Sequence, residues 1–551
     1  MSYGWSRPVH GNDLLGRLTQ ELTPSGALGY EYDVLSNLTT LTLPDGRKVN
    51  HLYYGSGHLH QLNLDGQVIS DMERDDLHRE VYRTQGKLTS CFGYDAMGRK
   101  AWQFASTLPT DKLSQVHNTG INTSLLVEHA YNPIHRRYQY DPAGELVRTL
   151  DKLRGEIKYE YEANGQLRSR DTGSLVGSEE FRYDPAANRL DFNARQFAKV
   201  KDNRIKQWRD QEYRYDPWGN LIEKRSGHSK LQSFSYDCEN RLVRAETLVN
   251  GKLASRGEYR YDSLGRRVAK RAEINGEVEQ KRFLWQGLRM LREETPGQNI
   301  LYLYEPGSYA PLARVDQAEG QAQKLYYFHT DQIGTPLELT GSDGKIVWQA
   351  TYRSWGAIED LAVKQVEQNL RFQGQYFDDE TGLHYNTYRF YDPEIGRFIA
   401  QDPIGLLGSF NFYEYTRNPV TWTDAWGLCA GKDWGAYYAK KTETRPPATM
   451  ERPHAHHIVF KGDFARSPGM QKALERSRAV LAKYKIDPGH DTSAMMWAEN
   501  QGHTIANAKL VAGKLEAADK AIMAQDLPFN KEAFAMTGEL QKIGAEIFGG
   551  S

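Results

Sequence analysis

From about residue 20 to about residue 420, aromatic residues fall on alternate positions and a turn signal follows at once. The unit is (Tyr/Phe)-x-Tyr-Asp-x-x-(Gly/Asn), then a short run in which apolar and polar residues alternate. It is plain at Tyr30-Glu31-Tyr32-Asp33, Tyr138-Gln139-Tyr140-Asp141, Tyr213-Arg214-Tyr215-Asp216 and Tyr259-Arg260-Tyr261-Asp262. Alternation puts both rings of Tyr-x-Tyr on one face of a strand. Asp-x-x-Gly reverses the chain, with Gly or Asn taking positive φ. Each unit therefore predicts a hairpin. A lone hairpin cannot bury its aromatic face, so the units must stack into a long antiparallel sheet. On this reading the tyrosines are packing residues and His329 is structural.

The pattern changes between Tyr391 and Cys429. Asp402-Pro403-Ile404-Gly405-Leu406 recurs as Asp424-Ala425-Trp426-Gly427-Leu428, with eighteen residues between Gly405 and Asp424. If the segment folds back on itself, the two aspartates converge. Two carboxylates sharing a site push their pKa values apart, so that one serves as acid and the other as base. An aspartyl protease needs that arrangement.

Beyond residue 428 tyrosine becomes scarce and helical spacing takes over. Ser467 to Tyr484 reads as a helix, with Met470, Leu474, Leu481 and Tyr484 on one stripe and Ser477 in its gap. Met495-Met496-Trp497 is a short strand candidate. A second helix opens near His503 and runs through about Met523, with Ile505, Ala508, Ala512, Leu515 and Ile522 on one face. Ahead of them stands Pro453-His454-Ala455-His456-His457-Ile458-Val459-Phe460. His456 and His457 point opposite ways on an extended chain, so one can face a metal while the other faces water or substrate. Glu499 and Asn507 stand one helical turn to either side of His503.

Charge and cysteine content narrow the field. The 551 residues carry a net charge of -1, so no global basicity points to nucleic acid. Residues 430–485, however, hold 12 basic and 5 acidic residues, a place for a polyanion. Three cysteines (Cys91, Cys238, Cys429) are too few and too scattered for a disulfide framework or a thiolate metal site. Folding in a reducing cytoplasm is the simplest reading. The N-terminus has no signal-peptide pattern and no run of 18 apolar residues spans a membrane. Export would need a separate machine.

The repeats, Tyr326-Tyr327-Phe328-His329-Thr330-Asp331-Gln332-Ile333-Gly334-Thr335-Pro336 and the doubled Asp motif resemble the core of Rhs (rearrangement hotspot) proteins, and the repeats also resemble those of teneurins and insecticidal Tc toxins. The resemblance implies a YD-repeat antiparallel sheet spiralling into a β-shell over residues 1–390. Residues 391–428 would be a self-cleaving aspartyl-type segment, with a linker at 429–450. Cleavage would fall between Leu428 and Cys429, with Asp402 and Asp424 as the catalytic pair and Arg397 as their charge partner. Ala425 departs from the usual proline at that position. The array is also shorter than a full family shell, so it is expected to be the C-terminal part of one.

Residues 451–551 are read as one domain, of which roughly residues 450–525 resemble the small α+β ββα-metal (HNH, or His-Me finger) nucleases, and Ala455-His456-His457 their AHH subgroup. The resemblance makes His457 the general base, His456 and His503 metal ligands, and Asn500 the residue that steadies the catalytic loop. Glu499 or Asn507 would complete the metal site, Mg²⁺ for preference, with Zn²⁺, Ni²⁺ or Mn²⁺ as alternatives. The expected function is a secreted antibacterial effector that degrades DNA in a target cell. It would be made in the producer's cytoplasm, carried by a type VI secretion component or adaptor, and blocked there by a cognate immunity protein. An RNase toxin, and a non-catalytic adhesive protein with a metal- or partner-binding tail, remain the alternatives.

Overall fold

The computed structural model describes residues 9–108 (save 24 and 56), 113, 131–191, 200–405 and 409–428. In the C-terminal part it describes 453–457, 468–484, 486, 495–499, 505–525 and 529–548. The chain divides into two compact units, residues 1–430 and 431–551.

The first unit is built almost wholly of antiparallel strands paired in sequence order. One sheet has fifteen strands, from Val9–Asn12 to Glu179–Glu180. A second has fifteen, from Gln207–Trp208 to Ile358–Lys364. A four-stranded sheet follows, formed by Tyr376–Asp378, Leu383–Asn386, Arg389–Asp392 and Arg397–Phe398. Each repeat is a hairpin with the expected turn. Asp33 Oδ1, for example, accepts the N–H groups of Leu35 and Asn37 at 2.8 and 2.9 Å.

The two tyrosines of a unit do different things. The first is core: Tyr30, Tyr138, Tyr213 and Tyr259 are buried. The second sits at a register shift in the ladder, as at Glu31/Tyr32 and Arg260/Tyr261. Its hydroxyl donates to the first carbonyl of the strand that leaves the preceding turn. Tyr32 donates to Leu18 at 2.9 Å, Tyr236 to Leu221 at 2.8 Å and Tyr261 to Leu242 at 2.6 Å. A buried phenol without a partner is costly, so this bond lets the ring sink into the sheet and pins each unit to the one before. The second tyrosine is therefore a pin as well as a packing residue.

Leu28, Leu41 and Leu62 of the first sheet pack with Leu284, Leu301 and Val315 of the second. A buried ion cluster also joins them: Arg136 and Arg154 both meet Asp151 and Glu338. The four-stranded sheet packs on the second large sheet through Tyr376, Tyr385 and Phe390 against Tyr259, Phe283 and Trp285. Two buried lysines fix it there. Lys270 lies 2.9 Å from Asp378 and 3.0 Å from Glu380, and Lys224 lies 2.8 Å from Asp392.

In the second unit, strand Pro453–His457 pairs antiparallel with Met495–Glu499. Among the described residues three helices accompany them: α1 (Pro468–Lys483), α2 (Ile505–Met523) and α3 (Phe529–Phe548). Their shared core contains Leu474, Leu481, Tyr484, Ala508, Leu515, Met536 and Leu540. Helix α3 adds a third apolar stripe to the two read from sequence, with Met536, Leu540 and Ile543 buried at helical spacing.

Candidate functional site: two aspartates on one arginine

Both copies of the Asp-x-x-Gly motif fold as the turn that closes the repeats. Asp402 Oδ1 accepts the N–H of Ile404 at 3.0 Å. Asp424 Oδ1 accepts those of Trp426, Gly427 and Leu428 at 3.3, 2.9 and 3.2 Å. In most of the repeats, the second carboxylate oxygen is taken by the side chain four residues on. Arg17 takes Asp13, Arg79 takes Asp75, Arg241 takes Asp237, and Asn220 takes Asp216, at 2.6 to 2.9 Å. Four residues after Asp402 and Asp424 the chain has Leu406 and Leu428. Leucine cannot bind a carboxylate, so each Oδ2 is left for another partner.

Both turn that oxygen to the same group. Arg389 Nη2 lies 2.9 Å from Asp402 Oδ2 and 3.7 Å from Asp424 Oδ2. Arg389 heads the third strand of the four-stranded sheet. Its Nη1 donates to the Phe412 carbonyl at 2.9 Å, its Nε donates to the Gly427 carbonyl, and its guanidinium sits 3.6 Å from the centre of the Phe398 ring. All three side chains are buried. Burial pushes the Asp402 carboxyl above the ordinary carboxylate range. The Arg389 charge and the Ile404 N–H offset part of that, and the Asp424 charge adds to it.

Sequence reasoning brought the two aspartates together and chose the wrong arginine. Arg397 serves a different place: it donates to Asn188 Oδ1 at 3.1 Å and to the Asn203 carbonyl, and stacks on Tyr413. The charge partner of the pair is Arg389. Leu428 is half-buried, and Cys429 lies outside the described residues. His329 is buried with Nε2 2.9 Å from the Thr340 hydroxyl, and burial pushes its imidazole down to about 4.

In the C-terminal unit, His456 and His457 stand opposite Met496 and Met495, and Glu499 stands opposite Pro453. Asn507 lies in the first turn of α2 and is half-buried. Asn500 and His503 lie outside the described residues, as do the side chains of His456, His457 and Glu499. Among the described residues, no group of three His, Cys, Asp or Glu side chains could hold a metal. No described helix is long and apolar enough to cross a membrane.

A profile of the Teneurin YD-shell matches residues 145–420, and one of the RHS repeat matches residues 13–48. The double-stranded DNA deaminase toxin A of Burkholderia cenocepacia is 42% identical over 447 residues, covering 77% of this chain and 30% of its own. The probable deoxyribonuclease RhsA of Dickeya dadantii is 29% identical over 493 residues, covering 87% of this chain and 31% of its own. The crystal structure of TcdB2-TccC3 shares the fold at a TM-score of 0.53 and 19% identity, over 76% of this chain and 24% of that one. The chain thus spans about a third of the length of the curated relatives it matches. It belongs to the YD-shell family of Rhs polymorphic toxins.

Proposed function

We propose that residues 1–428 cut the chain after Leu428 and so release residues 429–551 as a metal-dependent nuclease toxin. The observation that carries the first half is the meeting of Asp402 and Asp424 on Arg389, four residues before the bond to be cut. Asp402, whose carboxyl is raised, holds the proton. Asp424 takes a proton from water, the water oxygen bonds to the Leu428 carbonyl carbon, and Asp402 protonates the developing oxyanion. Collapse of that intermediate breaks the Leu428–Cys429 bond, the Cys429 nitrogen leaving as an amine with a proton from the pair. The products are a Leu428 carboxylate and a free Cys429 amine, with no co-reactant other than water. Arg389 orients both carboxylates and balances the charge of the ionised one, while burial and the Asp424 charge keep the proton on Asp402.

For the tail, two imidazoles with a carboxylate or carboxamide form a donor set suited to a divalent ion. His456 and His503 would hold it, with Glu499 or Asn507. When bound, the ion would supply Lewis-acid stabilisation of a phosphodiester's leaving oxygen. His457 takes the proton of the attacking water, and Asn500 steadies the loop that carries it. One feature of the relatives supports DNA hydrolysis over other DNA chemistry. Residues 1–430 are about 78% of the chain, so the deaminase match can lie wholly in the first unit, whereas the deoxyribonuclease match, at 87%, must run into the second. Delivery by a type VI component and neutralisation by a cognate immunity protein complete the reading.

The test has two parts. N-terminal sequencing of the smaller product from the purified chain should begin at Cys429. That product should then linearise or degrade plasmid with Mg²⁺ or Mn²⁺ and lose this activity in His457→Ala. A tail that spares plasmid and cuts tRNA would move the substrate class to RNA. A tail inert on both would leave only the cleaving shell.

A further inference from the structure

The tight turn between the second and third strands of the four-stranded sheet, Asn386-Thr387-Tyr388-Arg389, lies against residues 424–427. The contacts run to main-chain carbonyls. Asn386 Nδ2 donates to the Asp424 carbonyl at 2.8 Å, the Tyr388 N–H donates to the Trp426 carbonyl at 3.2 Å, and Arg389 Nε donates to the Gly427 carbonyl. The remaining carbonyl, of Ala425, lies on Gly374, where an added Cβ would come within 2.0 Å of it. Gly427 has φ +68, and an added Cβ would come within 2.5 Å of the Asn386 carbonyl.

The turn is also strained. Thr387 is β-branched, buried and held at φ +50, and its hydroxyl finds no hydrogen-bond partner among the described residues. Such a conformation costs on the order of 1–3 kcal/mol and survives only where surrounding contacts over-determine it. Asn386 is fully buried, and its Oδ1 finds no partner among the described residues. A buried side chain that leaves one polar atom unmatched and spends the other on the second catalytic turn is poorly explained by stability alone.

Resting on the self-cleavage reading, we propose that the 386–389 turn is a built-in substrate clamp that reads residues 424–427 through their main chain, and that Asn386 is its positioning residue. By holding the Asp424 carbonyl, Asn386 sets where the Asp424 carboxylate stands relative to Asp402 and Arg389. The clamp reads no side chain at residue 425, which accounts for alanine in place of proline there.

The experiment follows loss of the uncut full-length chain after cell-free synthesis, exchanged into buffers from pH 5 to 9, with melting measured alongside. Asn386→Ala should cleave at least tenfold more slowly at an unchanged melting temperature. Its alkaline limb should move to lower pH, because an Asp424 free to drift no longer raises Asp402. The groups facing Asp402 in this comparison are Arg389, Asp424 and the Ile404 N–H. Asn386→Asp, nearly isosteric, should be as slow, since it sets an oxygen against the Asp424 carbonyl; it serves if the alanine variant fails to fold. Ala425→Pro and Ala425→Ser should cleave at the wild-type rate. Unchanged cleavage in both Asn386 variants, an equal slowing at every pH, or a tenfold change in either Ala425 variant would overturn the clamp. A wild type that stays uncut while Asp424→Asn also stays uncut would overturn the self-cleavage reading itself.

Discussion

Asp402 Oδ2 and Arg389 Nη2 lie 2.9 Å apart, with neither side chain more than 3% exposed. The same nitrogen lies 3.7 Å from Asp424 Oδ2, so one guanidinium meets both carboxylates and, through Nε, the carbonyl of Gly427, the residue before Leu428. Lysine is a point donor on a flexible stem and cannot span these partners. Arg389→Lys should therefore slow self-cleavage by about 10- to 100-fold, and Arg389→Ala should abolish it. Gel densitometry of the uncut chain over time measures this. Cleavage of Arg389→Lys at the wild-type rate would refute the role.

The raised Asp402 carboxyl sets the direction of the pH dependence. Its protonated form persists to higher pH than an ordinary carboxyl keeps, and the proposed step uses that form. The cleavage rate should fall as pH rises through the raised pKa. For stability the sign is the same: the folded chain binds a proton that the unfolded chain has already lost, so this group's contribution falls as pH rises from its unfolded value to its folded one. A cleavage rate flat from pH 5 to pH 9 would contradict the assignment of Asp402 as acid.

His329 makes the opposite contribution. The fold depresses its imidazole to about 4, so the unfolded chain binds a proton that the folded chain refuses. Stability from this group is full above the unfolded pKa near 6.5 and drains as pH falls towards 4, by about 3 kcal/mol. His329→Gln should lose less stability between pH 7 and pH 4 than the wild type, read as urea midpoints. An identical loss would show that His329 is not the group responsible.

Asp378 is the buried carboxylate that neutralises Arg267 and Lys270 where the four-stranded sheet meets the second large sheet. Removing it leaves two buried cations with only Glu380 near Lys270. Asp378→Ala should cost about 3–5 kcal/mol and, because the same small sheet carries Arg389, should impair cleavage as well. A thermal melt and the cleavage gel test both. A variant that melts normally would show that these charges do not fix the sheet.

The repeats and the paired aspartates were legible because each is a local pattern. Tyr-x-Tyr-Asp-x-x-Gly states its own strand, turn and facing, and the second Asp motif is a copy of the first at a readable distance. Arg389 was not legible. Arg397 is closer in sequence to Asp402, and only strand pairing within the four-stranded sheet decides which arginine reaches the turns. The signal that was present lies at a single position. Most turn aspartates of the repeats, Asp13, Asp75, Asp216 and Asp237 among them, have Arg or Asn four residues on, whereas Asp402 and Asp424 have leucine, which marks them as carboxylates whose second oxygen is open to another partner. The hydroxyl pins of the second tyrosines were missed for a related reason, since their acceptors are main-chain carbonyls that sequence does not display. In the C-terminal unit the two short strands and the first two helices were legible from their residue patterns, whereas the strands' pairing and α3, whose apolar stripe is as regular, were not.

The most direct measurement is the intact mass of the purified wild type beside Asp424→Asn. The account predicts that the wild type resolves into two pieces, residues 1–428 and 429–551, and that the variant keeps the mass of the full 551-residue chain. A wild type that stays whole, or a variant that divides at the same bond, would contradict the claim that Asp402 and Asp424 together cut this chain.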